Sequence, residues 1–114
     1  MARLEVQPLP DLPSAAAAAF HRDFLSRAAA LLEGGAPCLT LVFAAGDHTH
    51  SAWRLAAVQA LAREHAPARV NALSGGSAPA ITAAQAYLEA AGGVTGQYLP
   101  LDDAGATPVV LPAG

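Results

Sequence analysis

The sequence predicts an α/β fold in which about four parallel strands alternate with three helices, in the order β-α-β-α-β-α-β, stacked in two or three layers. Three observations predict it. Apolar runs of strand length alternate with segments of helical periodicity, and proline or glycine punctuates nearly every boundary. The run Cys38 to Ala45 reads CLTLVFAA, with Thr40 its only polar residue, which is the pattern of a strand buried on both faces. The 114 residues suffice for one core and not for two, so 1–114 is expected to form one domain.

Taken in order, Leu4 to Leu9 reads as a short extended segment, ended by Pro8, Pro10 and Pro13 before Ser14 caps a helix. That helix is expected over Ala15 to Glu33. Ala17, Phe20, Phe24, Ala28, Leu31 and Leu32 recur at helical spacing, with Arg22, Asp23, Ser26 and Arg27 mostly opposite. Gly34 and Gly35 stop it. After the central strand, a polar loop from Gly46 to His50 leads into a second helix, Ser51 to His65, closed by Pro67. Trp53, Ala57, Ala60, Leu61 and Glu64 share one side of it, with Leu55, Val58 and Ala62 alongside. Arg69 to Leu73 is the next strand, and Ser74 to Ser77 a turn. The third helix starts near Pro79, where a helix tolerates proline, and runs to Ala91, with Ile81, Ala84 and Leu88 inward and Thr82, Gln85 and Glu89 outward. Gly96 to Leu101 forms the last strand, and the tail 104–114, poor in large side chains, is expected to be irregular.

Such alternation predicts right-handed crossovers. If successive strands add to one edge, right-handed crossovers put every helix on one face and leave the other apolar face uncovered. A partner, a swapped helix or the tails must then cover it, which argues for self-association.

Composition narrows the function classes. Apolar residues make up 54% of the chain, but 30 residues are alanine, so the apolarity is that of helices and not of a membrane span. Six arginines, no lysine and nine carboxylates give a net charge of −3, and the arginines are scattered, which argues against nucleic acid as a partner. One cysteine builds no intrachain disulfide framework and the N-terminus lacks a signal-peptide pattern, so the expected compartment is the cytoplasm.

From Ala60 the chain reads ALAREHAPARVNALSGG and then AAQAYLEAAGGVTGQYLPLDDAG. Both pieces resemble the C-terminal half of the short-chain dehydrogenases/reductases. The Arg-Val-Asn strand and its turn correspond to Arg69 through Gly76, the closing helix to Tyr87 and Leu88, the Thr-Gly-Gln strand to Thr95 through Gln97, and the family's end to Leu101 through Gly105. The resemblance implies a truncated, degenerate Rossmann-like domain. The family's first half is missing, and no G-x-x-x-G-x-G is present to admit a pyrophosphate. Counting back from Glu64 by the family's spacing puts Asp47 at the catalytic tyrosine position, Ser51 at the lysine position, and Ala45 or Gly46 at the serine position. With no lysine to hold the ribose and lower a tyrosine pKa, the family's proton transfer has no relay. Arg54 is a poor substitute because a guanidinium stays protonated. The resemblance therefore implies no cofactor on this chain alone, and NAD(P) only where another chain completes the site.

Two polar clusters are candidate sites. Asp47, His48, Thr49 and His50 follow the carboxyl end of the central strand, where open α/β sheets bind ligands. A His-x-His pair with an aspartate suits a general base or a transition metal, given a further ligand from His21, Cys38, Glu64 or His65. The competing reading is a solvated loop in which Asp47 or Thr49 caps the next helix. Ser74, Gly75 and Gly76, with Ser77, offer backbone amides before a helix and could hold an anion or, by resemblance, a nicotinamide carboxamide; the competing reading is a plain turn. Cys38 is expected in the core. By resemblance the first two helices would form a four-helix dimer seam through Phe24, Trp53 and Leu61.

The expected function is a non-catalytic dehydrogenase-like module acting through a homodimer or through a full-length dehydrogenase-like partner. The alternatives are a small ligand- or metal-binding protein or enzyme using the loop Asp47 to His50, and a split half that needs a separate cofactor-binding chain.

Overall fold

The computed structural model describes residues 2–102 and the residue pair 105–106. Strand β1 (Ala2–Glu5) is followed by α1 (Pro13–Asp23), α2 (Leu25–Glu33), β2 (Cys38–Phe43), a single 3-10 turn (His48–His50), α3 (Ser51–Glu64), β3 (Arg69–Gly75), α4 (Ala78–Ala90), β4 (Tyr98–Asp102) and β5 (Gly105–Ala106). The sheet order is β1-β2-β3-β4-β5. The first four strands are parallel, as expected, and β5 runs antiparallel to β4. Residues 105–106 were expected to be irregular and instead extend the sheet; 104 and 107–114 lie outside the described residues.

The long first helix is two helices. Phe24 leaves helical geometry at φ −120°, and α2 starts at the next residue. The His21 ring sits 2.7 Å from the Ala17 carbonyl, one turn back along α1. Phe20, Phe24, Ala28 and Leu32 are all buried, whereas Leu31, expected inside, is exposed. Pro13 opens α1 with Leu12 at the cap position, so Ser14 falls two residues past the cap and does not cap it.

The faces follow from the register. Leu39, Leu41 and Phe43 on β2 align with Val70 and Ala72 on β3 and with Tyr98 on β4, and these pack with Phe20, Phe24, Ala28, Val58 and Leu61 from α1, α2 and α3. Phe20, Phe43 and Trp53 form an aromatic knot with ring centroids 5.5 to 5.8 Å apart. Each such side chain contributes about 1.5–3 kcal/mol by leaving water.

The opposite face carries Thr40, Val42, Asn71 and Leu73, and α4 covers it. Arg3, in register with Thr40, donates to Gln85 of α4 at 3.4 Å. Arg69, in register with Cys38, donates to the carbonyls of Leu88, Glu89 and Ala91 at the C-terminus of α4. An arginine there also complements the helix dipole. So the expectation of one uncovered sheet face is corrected: β2 is buried along its whole length. Strand β4 adds to the same edge as its predecessors while its crossover helix lies on the other face, which gives the β3-α4-β4 crossover the hand opposite to the two before it.

One buried amide stitches the last crossover. Asn71 donates to the Val94 carbonyl at 3.0 Å and accepts from the Gln97 amide at 3.1 Å, and the Val70 amide donates to Thr95 Oγ1 at 3.0 Å. The Arg-Val-Asn segment thus fixes the chain entering β4.

Candidate functional site

A cavity of about 220 Å3 opens at the carboxyl ends of β1 and β2, bounded by the loop 7–11, by Phe43 to Gly46, and by His50 and Arg54. Its unusual member is Arg54. Positions 54, 57, 58 and 61 share the inward face of α3, so the arginine enters the core with Ala57, Val58 and Leu61 and is only 5% exposed. Nη1 donates to the Ala44 carbonyl at 3.1 Å and to Tyr98 Oη at 2.9 Å, and Tyr98 Oη in turn donates to Ser74 Oγ at 2.8 Å. The guanidinium carbon lies 4.7 Å from the centroid of the Phe43 ring, a cation–π contact. Gly46 makes room for it, because a Cβ there would come within 3.0 Å of Nη2. Nε has no hydrogen-bond partner, and among the described residues no carboxylate pairs with this buried cation.

The loop Asp47 to His50 sits beside the cavity, but its side chains do not converge. Asp47 accepts from the Thr49 amide at 2.9 Å and from the Thr49 hydroxyl, capping the 3-10 turn. Those bonds, the hydroxyl's first, hold its carboxyl below the usual aspartate range, against a small opposing effect of burial. His48 is exposed, as Asp47 and Thr49 are. His50 turns inward, 8% exposed, and its Nδ1 accepts from Trp53 Nε1 at 3.0 Å. That bond leaves the proton of the neutral ring on Nε2. Among the described residues no three His, Cys, Asp or Glu side chains come together to hold a metal ion. Ser51, at the family's lysine position, is the first residue of α3.

Ser74, Gly75 and Gly76 end β3 and turn into α4. Gly75 (φ 65°) and Gly76 (φ 80°) adopt the left-handed geometry open to glycine, and a Cβ on Gly76 would lie 2.8 Å from Leu101 Cβ. Ser77 caps α4 by accepting from the Ala80 amide at 3.2 Å. The turn borders an open cleft of about 450 Å3 that also includes Glu5, Val42 and Ile81. The lining combines this glycine turn with one carboxylate, Glu5, and includes no cationic side chain. Ser74 itself is buried under the Tyr98 hydroxyl and is unavailable to a ligand.

Phe24 and Leu61, expected on a dimer seam, are 6% and 1% exposed within this chain's own core, and Trp53 is half-buried against Phe20 and Phe43. The helix faces that carry them are spent on the sheet. Cys38 is buried, as expected. Sequence reasoning missed Arg54 and Tyr98 as a pair, although Arg54 shares its helix spacing with three apolar residues.

The arrangement places a serine, a tyrosine and a cation in one hydrogen-bonded row, but Ser74 and Tyr98 are buried and do not line the cavity that Arg54 borders. Tyr98 uses its oxygen on Arg54 and its proton on Ser74, and it lies inside the core. Among the described residues no helix is long and apolar enough to cross a membrane. Searches of curated proteins and of solved structures returned no match. The profile of the family described as SDR-like, short chain dehydrogenase-like protein, matches residues 4–101, which spans all four parallel strands. The chain belongs to the short chain dehydrogenase-like family.

Proposed function

We propose that this chain is a non-catalytic member of its family that works through association, with a second copy of itself or with a full-length dehydrogenase. The observation that carries this reading is the outer face of α4. Thr82, Gln85 and Glu89 were expected to face water; Thr82 does, but Gln85 and Glu89 are half-buried and bonded to each other at 3.1 Å. The solvent side instead presents Ala83, Ala86, Tyr87 and Ala90, at i, i+3, i+4 and i+7, with Tyr87 60% exposed. A helix apolar on its inner and its outer side is typical of one that is covered on both. This exposed apolar stripe supports α4, rather than the helices of Phe24 and Leu61, as the association face.

The absence of catalysis is supported by the residues at the family's catalytic positions. Asp47 is occupied in capping, Ser51 opens a helix, and the chain has no lysine. The tyrosine that does meet a cation is buried with its hydroxyl fully engaged. Light scattering after size exclusion is expected to give a mass above the 11.4 kDa of one chain, and Tyr87→Glu is expected to return it to one chain without loss of helical signal. A monomer at high concentration that also fails to bind a full-length dehydrogenase overturns the reading.

A second reading, a split half completed by another chain that brings the cofactor-binding half and NAD(P), is favoured by β1. It is the sheet's edge, and its outer side is where further parallel strands would add. Against it, the exposed Arg3 and Glu5 pair with each other on that four-residue edge, a feature that blunts strand addition.

A further inference from the structure

We infer that the cavity beside Arg54 is a binding site for a small free carboxylate with a short apolar tail, a proposal independent of the association reading. Burying a guanidinium without an anion is costly, and the Phe43 ring and two neutral acceptors offset only part of that cost. All of the protein's hydrogen bonds to this group found among the described residues fall on Nη1. Nη2 is left without a protein partner among the described residues, whereas Nε is closed off in the core. Nη2 can offer a charged N–H donor to a carboxylate oxygen, the stronger, charge-assisted kind of hydrogen bond. His50 borders the same cavity, and its neutral ring carries its proton on Nε2, a further donor. Val6, Leu9 and Phe43 form an apolar part of the wall, beside the polar Gln7 and Asp11, and that part suits a short hydrocarbon tail. The volume of about 220 Å3 is below the ~300–1,000 Å3 of sites for drug-sized ligands, which sets the occupant's size. One carboxylate of the chain, Asp11, stands at the cavity in the exposed loop 7–11 and is the internal competitor for the site.

The test uses the full chain and sodium butyrate, with butyramide as its neutral isostere and inorganic phosphate as a tetrahedral anion. Butyrate is expected to raise Tm saturably while butyramide does not, because a ligand bound only to the native state stabilises it. Arg54→Lys keeps the charge but is too short to place its donor at Nη2, and is expected to weaken butyrate binding at least tenfold. Should that variant not fold, the Nε–H proton resonance of Arg54 in the unaltered protein provides the same reading and is expected to shift saturably with butyrate. Three results overturn the proposal. These are a folded protein whose Arg54 Nε–H ignores butyrate, phosphate binding more tightly than butyrate, and butyrate binding that appears only in Asp11→Asn, which would make Asp11 the occupant.

Discussion

Arg54 Nη1 and Tyr98 Oη, 44 residues apart in sequence, meet at 2.9 Å inside the core, and the same phenol donates to Ser74. One hydroxyl thereby ties α3 to β4 and β3. Tyr98→Phe keeps the ring and removes only this link, leaving a buried charged donor short of an acceptor. The expected cost is about 1–3 kcal/mol, read as a lower urea midpoint at an unchanged slope.

Asn71 provides a second, independent stitch. Its side chain satisfies both the Val94 carbonyl and the Gln97 amide where the chain enters β4. Asn71→Leu is close in size but offers neither partner, so two backbone groups lose their bonds. A loss of about 2–4 kcal/mol is expected, with the amide of Gln97 losing hydrogen-exchange protection first.

Thr40 gives a change of the opposite sign. Its hydroxyl is fully buried on the α4 side of the sheet and has no hydrogen-bond partner. Thr40→Val removes an unsatisfied polar group at nearly constant shape. Stability is expected to rise by about 1 kcal/mol, or roughly 4–8 °C in Tm for a domain of this size; an unchanged or lower Tm contradicts the burial described.

The Asp47 carboxyl is held below its ordinary range by the Thr49 hydroxyl and amide. A depressed aspartate contributes stability that is fully present above its unfolded pKa of about 3.9 and is lost as pH falls through the lower folded value. The Tm difference between the protein and Asp47→Ala is therefore expected to hold steady from neutral pH to about pH 5 and to shrink in stronger acid. A difference that grows on acidification contradicts the capping role.

Most of the fold was legible because the decisive signals were local. The unbroken apolar run from Cys38 marked the central strand, and the family motif at Arg69 to Gly76 marked the next strand and its turn. The break at Phe24 was not legible, because the inward pattern of Phe20, Phe24 and Ala28 is the same for a straight helix and a bent one. The position of α4 was hidden for another reason: the general preference for right-handed crossovers favours the face it does not take. In the site, the loop Asp47 to His50 was correctly located at the carboxyl end of β2. Its role was obscured because the side chain that reaches deepest into the cavity wall belongs to the helix behind it. An arginine on a helix is counted with the polar face, and only the shared spacing with Ala57, Val58 and Leu61 pointed inward.

The central proposal is association without hydride transfer. Its most direct test is a calorimetric titration of the purified chain with NAD(H) and NADP(H), with the mass followed by light scattering on the same sample. No saturable heat, in a particle heavier than one 11.4 kDa chain, is the expected result. Saturable cofactor binding by a monomer, followed by reduction of a carbonyl substrate, would contradict it.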